Sequence, residues 1–500
     1  MKTCFTWLIA SLALASAAAA EVALPALFSN GMVLQRGSKV PVWGWAEKGE
    51  EVKVTFAGQT KTAKADDKGA WSVSLDPLAE RHEPAELVVA GKNTLTVDNV
   101  LVGEVWICSG QSNMQLEVAQ AKDGAQEAAA ASFPQIRMFN VERIRASEPQ
   151  KDTKGKWLVC DPANTPKFSA VGYYVARRLH QDLSVPVGMI NTSWGGTRAE
   201  AWTSREALEQ LPSARTLLSD WDKLLKNPDP AKTKDDPAKT PHFPSVLYNQ
   251  MIAPLIPYAI KGAIWYQGES NQKRAVQYQE LLPTLINDWR TRWNAEFPFY
   301  IVQLAGFGNG RPPATAAGTP DTWAELQEAQ MLTAITLPHC GVAVANDIGD
   351  EKDIHPKNKQ EVGRRLALWA LVKDYGKKDL ECSGPLYQSS KVDGKKVRLK
   401  FSHGKGLKTR DGGELQGFQI TGADQQWQWA KAKIEGNEVV VWADGVARPA
   451  GVRYAWAAWS PAANLVNSAG LPASCFRTDE FPLSTLGAVS PFEDGKTAGK

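Results

Sequence analysis

Val105-Trp-Ile-Cys-Ser-Gly-Gln-Ser-Asn-Met-Gln115 opens with an apolar run, Val105 to Cys108, and breaks into Ser109-Gly110-Gln111-Ser112-Asn113. Leu116 to Ala121 then follows in residues compatible with a helix. A buried strand that passes through a glycine-containing turn toward a helix predicts an α/β arrangement. In such sheets ligands gather beyond the carboxyl ends of the strands, and backbone N–H groups at a helix start favour negative charge. Ser112 is thus a candidate nucleophile, although a polar loop leaving any buried strand reads the same way.

The flanks supply the domain pattern. Between residues 21 and 99, Val40–Trp45, Val52–Phe56, Trp71–Leu75 and Leu95–Val97 alternate apolar with polar residues between turn signals, as in a small β-sandwich. Residues 100–379 read differently. Short buried runs (Leu158–Cys160, Val185–Ile190, Ile260–Trp265, Phe299–Leu304, Val342–Ala345) alternate with helical stretches at Ala170–Leu183, Ser204–Leu225, Tyr278–Trp293, Thr322–Leu337 and Lys359–Tyr375. That order predicts a parallel sheet covered on both faces, the catalytic domain of the chain. Residues 227–241, rich in Pro, Lys and Asp, are expected to form a mobile surface loop. Strand texture returns over residues 380–486 as a second β module, and residues 487–500 are expected to be a disordered tail.

Among 500 residues, 43% are hydrophobic and 22% charged, values of an ordinary globular chain. Residues 1–20 combine Lys2, an apolar stretch and Ala18-Ala19-Ala20, the layout of a secretory signal peptide, so a secreted or periplasmic location is expected. Without them, 56 basic side chains face 54 acidic ones, and neither nucleic acid nor a membrane is expected as a partner. Cys108, Cys160, Cys340, Cys382 and Cys475 are an odd set with no metal-ligand spacing, read as buried free thiols for the most part.

Three other stretches carry chemistry. Ser193-Trp-Gly-Gly-Thr197 ends a buried strand in paired glycines, where Gly195 and Gly196 let backbone N–H groups approach a ligand. In Trp265-Tyr-Gln-Gly-Glu-Ser-Asn271, Gln267 offers an amide hydrogen and Glu269 a carboxylate to hold the loop. Asp347 to Pro356 places His355 in an acid-rich loop after a strand, which makes it the leading general base of six histidines. Other chemistries fail on the letters: Met114 breaks a Gly-x-Ser-x-Gly elbow, Gln115 a Ser-x-x-Lys pair, and zinc-protease, Walker and dinucleotide motifs are lacking. No metal and no cofactor is expected. Acyl transfer to serine survives.

Taken with Leu24–Gln35, Gly103–Met114 and Asp353-Ile-His-Pro356, these motifs resemble the sialate O-acetylesterases of the SGNH (GDSL-like) hydrolase superfamily, over most of the chain. The resemblance implies an α/β fold, a flavodoxin-like three-layer α/β/α domain with accessory β-sandwich domains. It also implies hydrolysis of acetyl esters on sugars, typically 9-O-acetylated sialic acids. By position it assigns Ser112 as nucleophile and His355 as base. The Ser112 N–H, Gly195 or Gly196 and Gln267 match the oxyanion hole, with Gln111, Asn113 and Glu269 in support. The superfamily acid would fall on Lys352, so Asp353 is the first choice for the third member, with Asp350, Asp347 or no acid as alternatives. Two rival readings remain: an acetylesterase of xylan or another polysaccharide, and a non-catalytic sugar-binding protein using some of the nineteen Trp. A sialic acid carboxylate would call for an arginine such as Arg198.

Overall fold

The computed structural model describes residues 21–230, 232, 236–310 and 316–492. The signal peptide expected at 1–20, four positions of the 227–241 loop and the end of the expected tail lie outside these residues.

The architecture is α/β. The central sheet contains β1 (Thr94–Gly110), β2 (Phe133–Asn140), β3 (Trp157–Cys160), β4 (Val187–Ser193), β5 (Gly262–Tyr266), β6 (Phe299–Val302) and β7 (Cys340–Ala343). Their spatial order is β7-β6-β5-β1-β4-β2-β3, parallel except for the antiparallel edge strand β3. Ile107, Ile190, Ile264 and Ile301 are fully buried in it, each contributing about 1.5–3 kcal/mol. Two helices cover each face. α1 (Ala170–Leu183) packs on α4 (Lys359–Lys373), and α2 (Ala275–Trp293) packs on α3 (Thr322–Thr336). α1 is a helix for visible reasons: Ser169 caps it by accepting from the Gly172 N–H, and Val171, Tyr174, Val175 and Leu179 form its buried stripe.

Two differences from the sequence reading have physical causes. The strands expected around Leu95–Val97 and Val105–Cys108 are one strand of 17 residues, β1. Its first half pairs with Arg81–Ala90 of the N-terminal β module, and its second half is the centre of the α/β sheet. The expected helix Ser204–Leu225 is broken into Arg205–Gln210 and Arg215–Lys226, because Leu211 precedes Pro212 and takes extended backbone. β2 escaped the reading altogether; Pro134, Gln135 and Arg137 interrupt its apolar pattern.

The C-terminal module holds two four-stranded sheets, one running Leu386–Asp393, Lys396–Ser402, Glu438–Trp442 and Lys431–Glu435. It has its own core around Leu399, Phe418, Val439 and Tyr454. A cleft of about 1020 Å³ in this module is lined by Trp429, Trp442, Trp456 and Trp459 among others. Trp71, within its strand, and Trp456, two residues past the end of the strand Gly451–Tyr454, are buried core residues, while Trp43 and Trp442 are half-buried. The five described cysteines are free thiols, four of them buried. No described helix is long and apolar enough to cross a membrane.

Candidate active site

β1 lies where the chain switches sides of the sheet, with β4 on one flank and β5 on the other. Gly110 is in register with Ser193 and with Tyr266, so the loops leaving all three strands emerge side by side. Gly110 has φ +137°, and a Cβ there would lie 2.1 Å from the Tyr266 carbonyl oxygen. Only glycine fits this close approach. Two residues on, Ser112 begins a single helical turn, Ser112–Gln115, whose first N–H groups have no acceptor within the turn.

His355, 243 residues further along, reaches this turn from the loop between β7 and α4. Its Nε2 is 2.8 Å from Ser112 Oγ. A hydroxyl and an imidazole at this distance can exchange a proton directly. Asp353 lies on the other side of the ring. Its Oδ1 accepts the His355 backbone N–H at 2.8 Å and stands 3.4 Å from Nδ1, while Lys357 holds the second oxygen at 3.2 Å. Burial works to raise the Asp353 carboxyl, but the His355 N–H, Lys357 and the imidazole outweigh it and hold it below the usual range. Burial also pushes the His355 imidazole down; Asp353 opposes this, and Lys359 and Lys357 add to it. The other aspartates are engaged elsewhere: Asp347 pairs with both Nη atoms of Arg365, and Asp350 accepts the Lys352 and Asp353 N–H groups to shape the turn.

Gly195 lies against the serine. A Cβ built on it would be 3.3 Å from Ser112 Cβ, and its N–H donates to Gln115 Oε1 at 2.7 Å. Gly196, at φ +75°, is exposed, and its carbonyl accepts from Ser270 Oγ. Gln267 departs from the expected role of oxyanion donor. It is fully buried, and its amide nitrogen donates to the Thr197 carbonyl at 3.2 Å and to Asn271 Oδ1 at 2.7 Å, while Tyr278 donates to its oxygen at 2.8 Å. Both amide hydrogens are thereby spent inside the protein, on Thr197 of the 194–200 loop and on Asn271 of the turn that follows, while α2 supplies Tyr278 to the amide oxygen. Gln267 braces the loop that carries Gly195.

The supporting residues form a network behind the serine. Gln111 Oε1 accepts the Gly268 and Ser270 N–H groups at 3.4 and 3.3 Å. Asn113 Nδ2 donates to Glu269 Oε1 at 2.6 Å and to the Ile354 carbonyl at 3.0 Å. Burial raises the Glu269 carboxyl above its usual range. Two residues escaped the sequence reading. Gln115 holds the Gly195 N–H, and the fully buried Lys359 donates to Asn113 Oδ1. One signal for Lys359 was present: a lysine in the first turn of α4 opposes the helix dipole.

Arg198 follows Gly195 by three residues. Among the described residues, no carboxylate lies within ion-pair distance of its guanidinium; burial lowers its pKa, and Glu200 nearby opposes this. One cluster of ligand-type side chains stands apart from these loops. Glu381, Cys382 and His403 converge within 4.8 Å where the C-terminal module begins, but Glu381 Oε1 already takes His403 Nδ1 at 2.6 Å and the Cys382 N–H.

A family model described as "Carbohydrate esterase, sialic acid-specific acetylesterase" matches residues 102–371. The chain is 30% identical over 483 residues to a sialate O-acetylesterase of Rattus norvegicus, covering 86% of this chain and 88% of that one. It is 30% identical over 471 residues to the sialate O-acetylesterase of Homo sapiens, covering 86% and 87%. A crystal structure of a carbohydrate acetylesterase from Xanthomonas citri superposes with a TM-score of 0.82 at 41% identity, over 92% of this chain and all of that one. Strand-end loops, fold and likeness agree: the chain belongs to the sialic acid-specific acetylesterase family of carbohydrate esterases, enzymes that hydrolyse carboxylic esters.

Proposed function

We propose that the protein removes O-acetyl groups from sugars through an acetyl-serine intermediate on Ser112. The observation that carries this reading is the 2.8 Å contact between His355 Nε2 and Ser112 Oγ, with Gly195 packed on the serine. His355 takes the Ser112 proton as the oxygen attacks the acetyl carbonyl, then returns it to the leaving sugar oxygen; water repeats the sequence to release acetate. The N–H groups of Ser112 and Gly195 stabilise the oxyanion, the latter once Gln115 Oε1 gives way to the substrate oxygen. Each such donor contributes about 3 kcal/mol to the transition state. Brief exposure to para-nitrophenyl acetate, acid quenching and peptide mass analysis test the step. One acetyl group on the Ser112 peptide is expected, and an adduct elsewhere would end the assignment.

Asp353 is the proposed orienting acid, acting weakly, because its Nδ1 contact is long and its side chain is 42% exposed. Asp353→Asn is expected to lower kcat by about 10- to 100-fold, well short of the roughly 10⁴ known for a tightly bonded triad aspartate. Since Asp353 raises the imidazole pKa, the same change moves the acid limb of the kcat/KM profile to lower pH. A shift to higher pH would contradict this role.

For the substrate we favour an O-acetylated sialic acid, at its 9-position, over xylan. Arg198 supports this choice, as a sheltered cation next to the Gly195 turn with no ion-pair partner among the described residues. Arg198→Ala is expected to raise KM for an O-acetylated sialic acid about tenfold, the worth of one charge-assisted contact, and to leave the neutral nitrophenyl ester unchanged. Equal effects on both substrates would favour the polysaccharide reading. The character of residues 1–20 supports action outside the cytoplasm, in the periplasm or beyond.

A further inference from the structure

We propose that Lys359 is a positioning residue for the Ser112–His355 pair, clamping the nucleophile turn to the histidine loop through Asn113 and placing a buried positive charge under that loop. This rests on the reading of Ser112 and His355 given above.

Asn113 is the clamp. It follows Ser112 directly, and its amide nitrogen holds the carbonyl of Ile354, the residue before His355. The same nitrogen donates to Glu269, and the amide oxygen accepts from Lys359 Nζ. Every hydrogen-bonding group of Asn113's side chain is thus used, which fixes the orientation of the amide. Lys359 and Glu269 are both buried and bond to opposite ends of the Asn113 amide, and the Lys359 ammonium also lies 5.1 Å from the centre of the Tyr266 ring. Glu269 Oε2 has no hydrogen-bond partner among the described residues.

This arrangement is expensive for a purely structural device. An apolar side chain at position 359 would fill the space without desolvating an ammonium, and buried charges commonly stabilise less than their apolar replacements. The charge has a use at the histidine. The groups facing the imidazole are Asp353 and Lys357 on its own loop, Lys359 from α4 and the Ser112 hydroxyl; of these, the two lysines favour the neutral ring that a general base requires. Lys357 is largely solvated, and water screens it. Lys359 is not screened. Burial brings its own pKa down to about 7, with Glu269 and Asp353 opposing and Lys357 adding to the fall. Its charge is therefore present over the acidic range in which His355 would otherwise take up a proton.

The test is the pH profile of kcat/KM on para-nitrophenyl acetate for the intact enzyme and for Lys359→Met, Lys359→Gln and Lys357→Met. Both Lys359 variants should move the acid inflection upward by roughly 0.5–1 unit, and Lys357→Met should move it less. At the alkaline plateau, Lys359→Gln should retain more kcat than Lys359→Met, because its amide can still donate to Asn113. Circular dichroism establishes which variants fold, and Lys359→Gln carries the test if Lys359→Met does not. Should neither fold, an NMR titration of His355 in the wild-type protein replaces them, with an inflection below 6.5 expected. An unmoved inflection in a folded Lys359 variant, an equal shift in Lys357→Met, or a wild-type imidazole titrating at 6.5 or above overturns the proposal. Activity that survives Ser112→Ala would instead end the earlier reading, so the two failures are separable.

Discussion

Ser112→Ala is expected to lower kcat/KM on para-nitrophenyl acetate by about 10⁴-fold or more, because it removes the atom that forms the acetyl bond. His355→Ala should fall to nearly the same floor. The two residues act as one unit across a 2.8 Å contact, so the double variant should lose little beyond either single one. Additive losses would mean that the hydroxyl and the imidazole work independently. What activity remains would come from the backbone donors at Ser112 and Gly195, which neither substitution touches.

Arg274→Ala should produce the largest loss of stability in the catalytic domain. Arg274 and Glu200 are both buried and 2.5 Å apart, and Asn271 donates to the other Glu200 oxygen at 2.8 Å. Burial alone would raise the Glu200 carboxyl, yet Arg274, Arg198 and Asn271 outweigh it and hold it below its usual range. Removing the arginine leaves a carboxylate in the interior, at a cost of about 3–5 kcal/mol. Chemical denaturation followed by near-UV circular dichroism measures this, and a loss below about 1 kcal/mol would show that Arg198 takes over the pairing. Activity should fall as well. Asn271 also binds Gln267 and the Ala199 N–H, so the disturbance reaches the loop that presents Gly195.

Particular residues show which parts of the site are legible in the sequence and which are not. Buried strands leave runs such as Ile264-Trp265-Tyr266, and polar letters at their ends mark the loops, so the convergence of the Ser112, Gly195 and Gln267 stretches followed from one parallel sheet. The partner of each polar group did not. Gln267 carries the same amide whether it faces a substrate or Tyr278, Asn271 and Thr197, and two of those partners, Tyr278 on α2 and Thr197 in the 194–200 loop, lie outside its own motif. Asp347, Asp350 and Asp353 are equally spaced letters until Arg365 claims the first and a backbone turn claims the second.

The α/β character of residues 100–379, the β texture on either side, and the serine and histidine worth pursuing are legible in the letters alone. Those features follow from local periodicity and from side-chain chemistry that few residue types possess. It takes the folded chain to join β1 unbroken through two modules, to bring His355 to Ser112 across 243 positions, and to bury a lysine under the site. Burial and hydrogen-bond pairing belong to residues far apart in the chain, and no local pattern encodes which distant group will satisfy a given polar atom.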